Sequence, residues 1–367
     1  MSDMLEIIDR YVDEAVDEIT AKEISEGRLK SFYTMSANLL RLRPDIPMDR
    51  HREIYHHLLK VKLLENTPQF LTGIDWNKAC DTVEGGTDVL KRPAIYVSYH
   101  LGAYRSAIML MVKHNVDIAV VVDSSVYDVE SVRRVLNTNL DLAKQFFKES
   151  STKMEIVEAE GVDTVVRLLG YLKKGYSLLT YVDWSSGMKN SGGDLVIPFM
   201  GERISVRQSL ACLSYYARCP LVPLMSSLSR DHEIHWRLFD PIVPDGKTPM
   251  AEYSASAMSR IFGLLEERLS TDFDQWQGWL QVHKMLVLDD LPKRSENDSV
   301  GGEYRLSAYA GLFIVGDSYF VMDRKTYKVI RIDKRWYDLL ASSGGKPIGV
   351  PFPKEEAQAL RGCGILI

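Results

Sequence analysis

Between residues 90 and 240, short apolar runs rich in β-formers alternate with segments of helical periodicity. AIYVS, IAVVV, MEIV, SLLTYV, LVIP, PLVPLM and IHWRLF read as strands, with helices between them at 103–113, 129–146, 161–174 and 206–217. That alternation specifies an α/β fold, a mainly parallel sheet flanked by helices. Upstream, Met4, Ile8, Tyr11, Ala15 and Ile19 share one face of a helix that is otherwise largely acidic. A second helical pattern runs from His51 to Phe70 and is interrupted at Asn66, Thr67 and Pro68. Glu252 to Leu269 reads as one long amphipathic helix. DDLPKRSENDSVGGEYR has the charge, Gly and Ser content of a linker. After it, GLFIVGDSYFVMDRKTYKVIRIDKRWYDLLA reads as a meander turned at 315–318 and 323–326, leading into a helix around Lys334 to Leu340. The pattern divides the chain into a helical cap (1–85), an α/β core (86–288), a linker (289–303) and a small α+β C-terminal domain (304–367).

Composition narrows the function classes. With 367 residues and 46% hydrophobic content the chain can bury its own core, so neither metal nor disulfide is needed to hold it together. A net charge of -5 argues against a general nucleic-acid binder. Cys80, Cys212, Cys219 and Cys363 show neither CxxC pairing nor zinc-ligand spacing, which fits a reducing compartment. The first twenty residues hold seven acids and one Arg, unlike a signal peptide, and no run reaches the roughly 18–20 apolar residues of a membrane helix. The expectation is a cytoplasmic protein with no membrane span. GxGxxG, phosphate-loop and GxSxG patterns are absent. His232 and His235 have no nearby ligand set for a metal, and His56 and His57 read as a solvated helical pair.

Candidate chemistry begins in YVSYHLGAYRSAIMLM. His100 follows an apolar strand and precedes an apolar helix, with Gly102 permitting a tight turn, and open α/β sheets bind ligands at this carboxyl end. The residue is either a catalytic base or a satisfied structural histidine. Asp183, between SLLTYV and Trp184, Ser185, Ser186 and Gly187, is either a turn cap or a site acid. Arg133, Arg203 and Arg207 are candidate phosphate binders, with surface ion pairs as the alternative. Trp276, Trp279 and His283 stand three and four residues apart, so a helix would place them on one face, where packing is the simpler role.

Four blocks occur in order: SYHLGAYR, LLTYVDWSSG, VIPFMGERISVRQSLACLSYYARCPLVPL and DQWQGWLQVHK. Together they resemble the late acyltransferases of lipid A biosynthesis, within the lysophospholipid acyltransferase superfamily. The matching residues are His100, Asp183, the segment from Pro198 to Gly201, and Gln275, Trp276, Trp279, His283 and Lys284, and the resemblance covers roughly 50–285. It implies that a thioester on acyl carrier protein or coenzyme A is attacked by a hydroxyl or amine acceptor, with His100 as base and no bound cofactor. The region of Arg203 and Arg207 would help shape the donor groove. The family's orienting carboxylate stands five residues after the histidine, where this chain has Arg105, preceded by Tyr104. Three readings follow. Asp183 or Asp123 supplies the carboxylate; Arg105 reads an anionic substrate group; or the site no longer transfers acyl groups. The expected function is cytosolic acyl or aminoacyl transfer, in natural-product or lipid biosynthesis, with an acyl or peptidyl carrier protein as partner. The alternative is a non-catalytic relative that binds a carrier protein, lipid or peptide. Residues 302–367 loosely resemble small winged-helix-like domains that recognise peptides, which implies either a peptide partner there, bound by strand addition, or a module that only docks on the core.

Overall fold

Strands that read as unbroken apolar runs are the ones buried on both faces. In the computed structural model, which describes residues 2–123, 128–159, 163–184, 193–288, 303–349 and 354–367, β1 (Ile95–Ser98) is buried at all four positions and its partner in PLVPLM at all eight. The chain forms two compact units. One comprises Met1–Val12, His57–Gly278 and Lys284–Val287; the other comprises Asp13–His56, Trp279–His283 and Leu288–Ile367. This division departs from a linear reading: about half of the expected cap, residues 13–56, groups with the C-terminal domain, and the other half with the α/β core. Of the expected linker, 289–302 lies outside the described residues.

The first unit is built on a six-stranded sheet. To β1 are added β2 (Ile118–Val122), β3 (Met154–Glu158), β4 (Ser177–Tyr181), β7 (Leu221–Leu228) and β8 (Ile234–Leu238), in the order β3-β2-β4-β1-β7-β8. Five strands run parallel and β8 closes one edge antiparallel. The expected mainly parallel sheet is therefore present, with IHWRLF as its antiparallel edge strand. LVIP leaves the sheet. It forms β5 (Asp194–Phe199), paired only with β6 (Glu202–Arg207) in a separate two-stranded hairpin. The Met200-Gly201 loop has both φ values positive, 51° and 78°, as a two-residue hairpin turn requires. With β6 ending at Arg207, the helix expected at 206–217 starts at Ser209.

Helices flank the sheet. The unit includes α4 (Pro68–Gly73), α5 (Trp76–Asp81), α6 (Ala107–Lys113), α7 (Val129–Phe146), α8 (Thr164–Lys173), α9 (Ser209–Ala217) and α10 (Met250–Arg268), together with ends of α1 (Ser2–Ser25) and α3 (His51–Leu64). α8 packs on β4, and α10 packs on α9 and β5. No helix among the described residues is long and apolar enough to cross a membrane.

In the second unit, β10 (Ala310–Val315), β11 (Ser318–Asp323) and β12 (Lys328–Ile332) form the expected meander, followed by α11 (Lys334–Ser343) and α12 (Lys354–Gly362). α11 starts where Asp333 caps the Trp336 N–H at 2.8 Å and ends at left-handed Gly344. Strands and helices enclose Val321, Trp336, Leu340, Leu360 and Ile365. A short pair, β9 (Glu303–Tyr304) and β13 (Ile348–Gly349), borders them. The meander's other face meets α2 (Lys30–Leu42), where Ala37, Phe313 and Met322 are buried together. Gly311 is required at that contact, because a Cβ there would lie 2.5 Å from the Tyr33 ring.

Arg324 fastens the meander to α2. It is 8% exposed, and its guanidinium donates to Ser36 Oγ (2.7 Å), Ala308 O and Tyr309 O. Replacing it with Met keeps the stem but removes three hydrogen bonds, one of them to the buried Ser36 hydroxyl, so Arg324→Met should cost about 2–3 kcal/mol. Urea unfolding followed by circular dichroism checks this; an unchanged midpoint would show that the guanidinium contributes nothing net.

Candidate active site

The register of β1 and β4 determines what stands opposite His100. The pairs run from Ile95↔Leu178 to Ser98↔Tyr181 at a constant offset of 83 residues, and the same offset carried two residues past the strand ends sets His100 against Asp183. There the side chains meet, with His100 Nδ1 2.9 Å from Asp183 Oδ1. An ionised carboxylate only accepts hydrogen bonds, so Nδ1 carries the proton and Nε2 holds the lone pair, the tautomer a general base needs.

Asp183 is fully buried, so its charge must be matched by donors. Besides Nδ1, its Oδ2 accepts the His100 main-chain N–H (2.9 Å) and the Trp276 indole N–H (2.6 Å). Both oxygens are therefore engaged at the site rather than in a local turn cap. Ser185, Ser186 and Gly187 lie outside the described residues. Asp123 follows β2 and is not the acid at Nδ1.

Trp276 reaches Asp183 because 275–277 runs antiparallel to 100–102. The Gln277 N–H donates to His100 O (2.8 Å) and the Gly102 N–H to Gln275 O (3.3 Å). The Gln275 amide bonds both the N–H (2.9 Å) and C=O (2.8 Å) of Leu228, extending the end of β7. Gly102, at φ 56°, allows this approach: a Cβ would fall 2.7 Å from Ser227 Cα. The expected helix carrying Trp276, Trp279 and His283 on one face does not form. Short 3-10 turns occupy 273–275, 277–280 and 282–284, and Trp276 itself is extended, so its side chain is part of the site rather than only of the core. Phe199 of the Pro-Phe segment packs edge-on against Trp276, with ring centroids 5.9 Å apart.

Three aromatic rings surround the imidazole: Tyr104 at 4.7 Å between centroids, Trp184 at 4.9 Å and Tyr181 at 5.1 Å. Burial holds the Tyr181 phenol well above its ordinary pKa, so it is neutral at physiological pH. Arg105 lies over the Tyr104 ring, 5.2 Å from its centroid, and donates to Asn66 Oδ1. Its Nη1 is 3.6 Å from Glu65 Oε1. The cation is therefore matched by a buried acid, which the sequence did not single out. A small cleft lies beside this pair, with Glu65, Arg105, Ser106, Asn139 and Leu142 among its walls; His100 does not line it.

The other candidates lie elsewhere. Arg133 is on α7, 3.4 Å from Glu130 across one exposed helical turn. Arg203 and Arg207 are on β6, facing Pro198 and Asp194 in the hairpin register. The cluster around His100 does not include these three among the described residues. No group of three or more His, Cys, Asp or Glu among the described residues could hold a metal ion.

No family model matches the chain, and no curated protein matches it. Among solved structures it is similar to the 1-acyl-sn-glycerophosphate (LPA) acyltransferase PlsC from Thermotoga maritima, at 13% identity and a TM-score of 0.34, over 73% of this chain and 98% of that one. At that distance the likeness assigns neither activity nor substrate.

The indole–carboxylate bond can be isolated from the packing of the indole. In a double-mutant cycle of Trp276→Phe and Asp183→Asn, thermal unfolding should report a coupling of about 1–3 kcal/mol. Additive effects would mean that the bond contributes nothing beyond ring packing.

Proposed function

We propose that this chain is an acyltransferase in which His100 is the general base and Asp183 its orienting acid. The observation that carries the reading is the 2.9 Å contact between His100 Nδ1 and Asp183 Oδ1 at the carboxyl end of a parallel sheet, which leaves Nε2 as the basic nitrogen. The order of the four sequence blocks supports the same chemistry. Nε2 takes the proton of an acceptor hydroxyl or amine as its oxygen or nitrogen attacks the thioester carbonyl carbon. The tetrahedral intermediate collapses with cleavage of the carbon–sulfur bond, and the imidazolium returns the proton to the departing thiolate, giving ester or amide plus thiol. Asp183 keeps the ring in the reactive tautomer and stabilises the imidazolium, a role that requires its charge.

The donor we propose is a carrier-protein or coenzyme A thioester, and the setting cytosolic lipid or natural-product biosynthesis. Arg105, Tyr104, Arg203 and Arg207 are proposed substrate contacts; Arg133, paired with Glu130 away from the cluster, is the weakest of the original candidates. In the second unit, β12 is an edge of the three-stranded sheet and exposes Val329. An extended peptide could add a strand to that edge.

The test is mass-spectrometric turnover of a panel of acyl and aminoacyl thioesters, on coenzyme A and on carrier proteins, with small hydroxyl and amine acceptors. His100→Ala and Asp183→Asn should each lower kcat/KM by about 10²–10⁴-fold while the protein stays folded. Wild-type protein that turns over no thioester yet binds a carrier or peptide would replace this reading with that of a binding protein.

A further inference from the structure

Glu65 follows the last turn of α3 and is 3% exposed. Its Oε1 accepts from Gln277 Nε2 at 3.0 Å and lies 3.6 Å from Arg105 Nη1, while its Oε2 is buried without a hydrogen bond. A carboxylate in such a place costs more than an apolar side chain of similar size, so its partners explain what it does. Gln277 donates its main-chain N–H to His100 O, and Arg105 lies on Tyr104, whose ring meets the His100 imidazole. Glu65 thus reaches His100 along two arms, one through Gln277 and one through Arg105 and Tyr104.

We propose that Glu65 is a positioning residue: its carboxylate anchors the loop from His100 to Ser106 through Arg105 on one side and Gln277 on the other. This rests on the reading of His100 as the base. The charged or titratable groups facing Glu65 are Arg105 from the turn after β1, Lys62 from its own helix and Tyr181 from β4. Burial pushes the carboxyl up to about 7 from an ordinary 4.5, against the opposing pull of Arg105 and the Gln277 hydrogen bond. The anchor is therefore charged above about pH 7, and below it Arg105 faces a neutral acid. Stability runs the other way. A raised carboxyl pKa favours the fold fully below 4.5, and that contribution is lost as pH rises through about 7.

The experiment is NMR of the full chain labelled at Glu carboxyl carbons and at Ala and Met methyl groups, titrated from pH 5 to 9 with no substrate. In wild type one Glu carboxyl should titrate near pH 7, and the methyls of Ala103 and Met109, which line the adjoining cleft, should shift with the same midpoint. In Glu65→Gln the carboxyl signal should vanish and both methyls should lose that inflection. Turnover by Glu65→Gln should fall about 10–100-fold at pH 8 with KM little changed. If Glu65→Gln does not fold, Arg105→Gln should raise the carboxyl midpoint, because it removes the opposing positive charge. A Glu65 midpoint in the ordinary carboxylate range, or methyls that ignore it, overturns the proposal. Intact titrations in a protein that turns over no thioester support the anchor and count against acyl transfer alone.

Discussion

The parallel pairing of β1 with β4 is the constraint from which the site follows. Side chains alternate faces along a strand, so slipping this register by one residue would set Val182 or Trp184 opposite His100 in place of Asp183. The register is held by burial: Ile95, Tyr96, Val97, Leu178 and Leu179 are all inaccessible, and shifting them would turn apolar side chains out of the core. The histidine–carboxylate pair is therefore fixed by sheet packing, although neither residue belongs to a strand.

The pair imposes a demand in return. Asp183 is a fully buried charge, and the His100 ring and main chain supply two of its donors. The third comes from Trp276, 93 residues further along the chain, after the hairpin β5–β6, the last two strands of the sheet and α10. Much of what lies between serves to return that indole. Gln275 ties its segment to the end of β7, Gly102 admits the backbone, and Phe199 supports the ring. Blocks separated in sequence are thus links of one chain of contacts from Phe199 through Trp276 and Asp183 to His100.

What could be read from the sequence follows from the range of the forces involved. Apolar runs showed the core strands because burial on both faces leaves a local signature, and His100 was visible because it ends one of them. The meander 310–332 was equally plain, since its turns are encoded within a few residues. LVIP, read as a strand of the sheet, pairs elsewhere because a short apolar run does not record its partner; the Met200-Gly201 turn is the local clue to its hairpin. Trp276 was assigned to packing because spacings of three and four mimic a helix, whereas the segment follows the edge of the His100 loop. Glu65 left no signal, since an acid ending an amphipathic helix is ordinary until the fold buries it. Grouping residues 13–56 with the tail depends on contacts such as Arg324 to Ser36, 288 residues apart, which no periodicity reports.

Arginine at position 105 looks incompatible with a histidine base only while the acid is sought five residues after the histidine. In the proposed mechanism the orienting carboxylate is Asp183 at the end of β4, so the charge at position 105 has only to be kept from opposing an imidazolium. Glu65 and Asn66 meet that requirement by drawing the guanidinium to the end of α3, with Tyr104 between it and the imidazole. Above about pH 7, where Glu65 is charged, a cation matched at 3.6 Å projects less potential at the ring than a lone one, because the opposite charges partly cancel there. The arrangement keeps a carboxylate at Nδ1 and adds a second charge pair whose proton is exchangeable near neutral pH. Under the proposed function, Arg105 and the carboxylate at Nδ1 are thus compatible, because the acid beside His100 and the acid beside Arg105 are two different residues, Asp183 and Glu65.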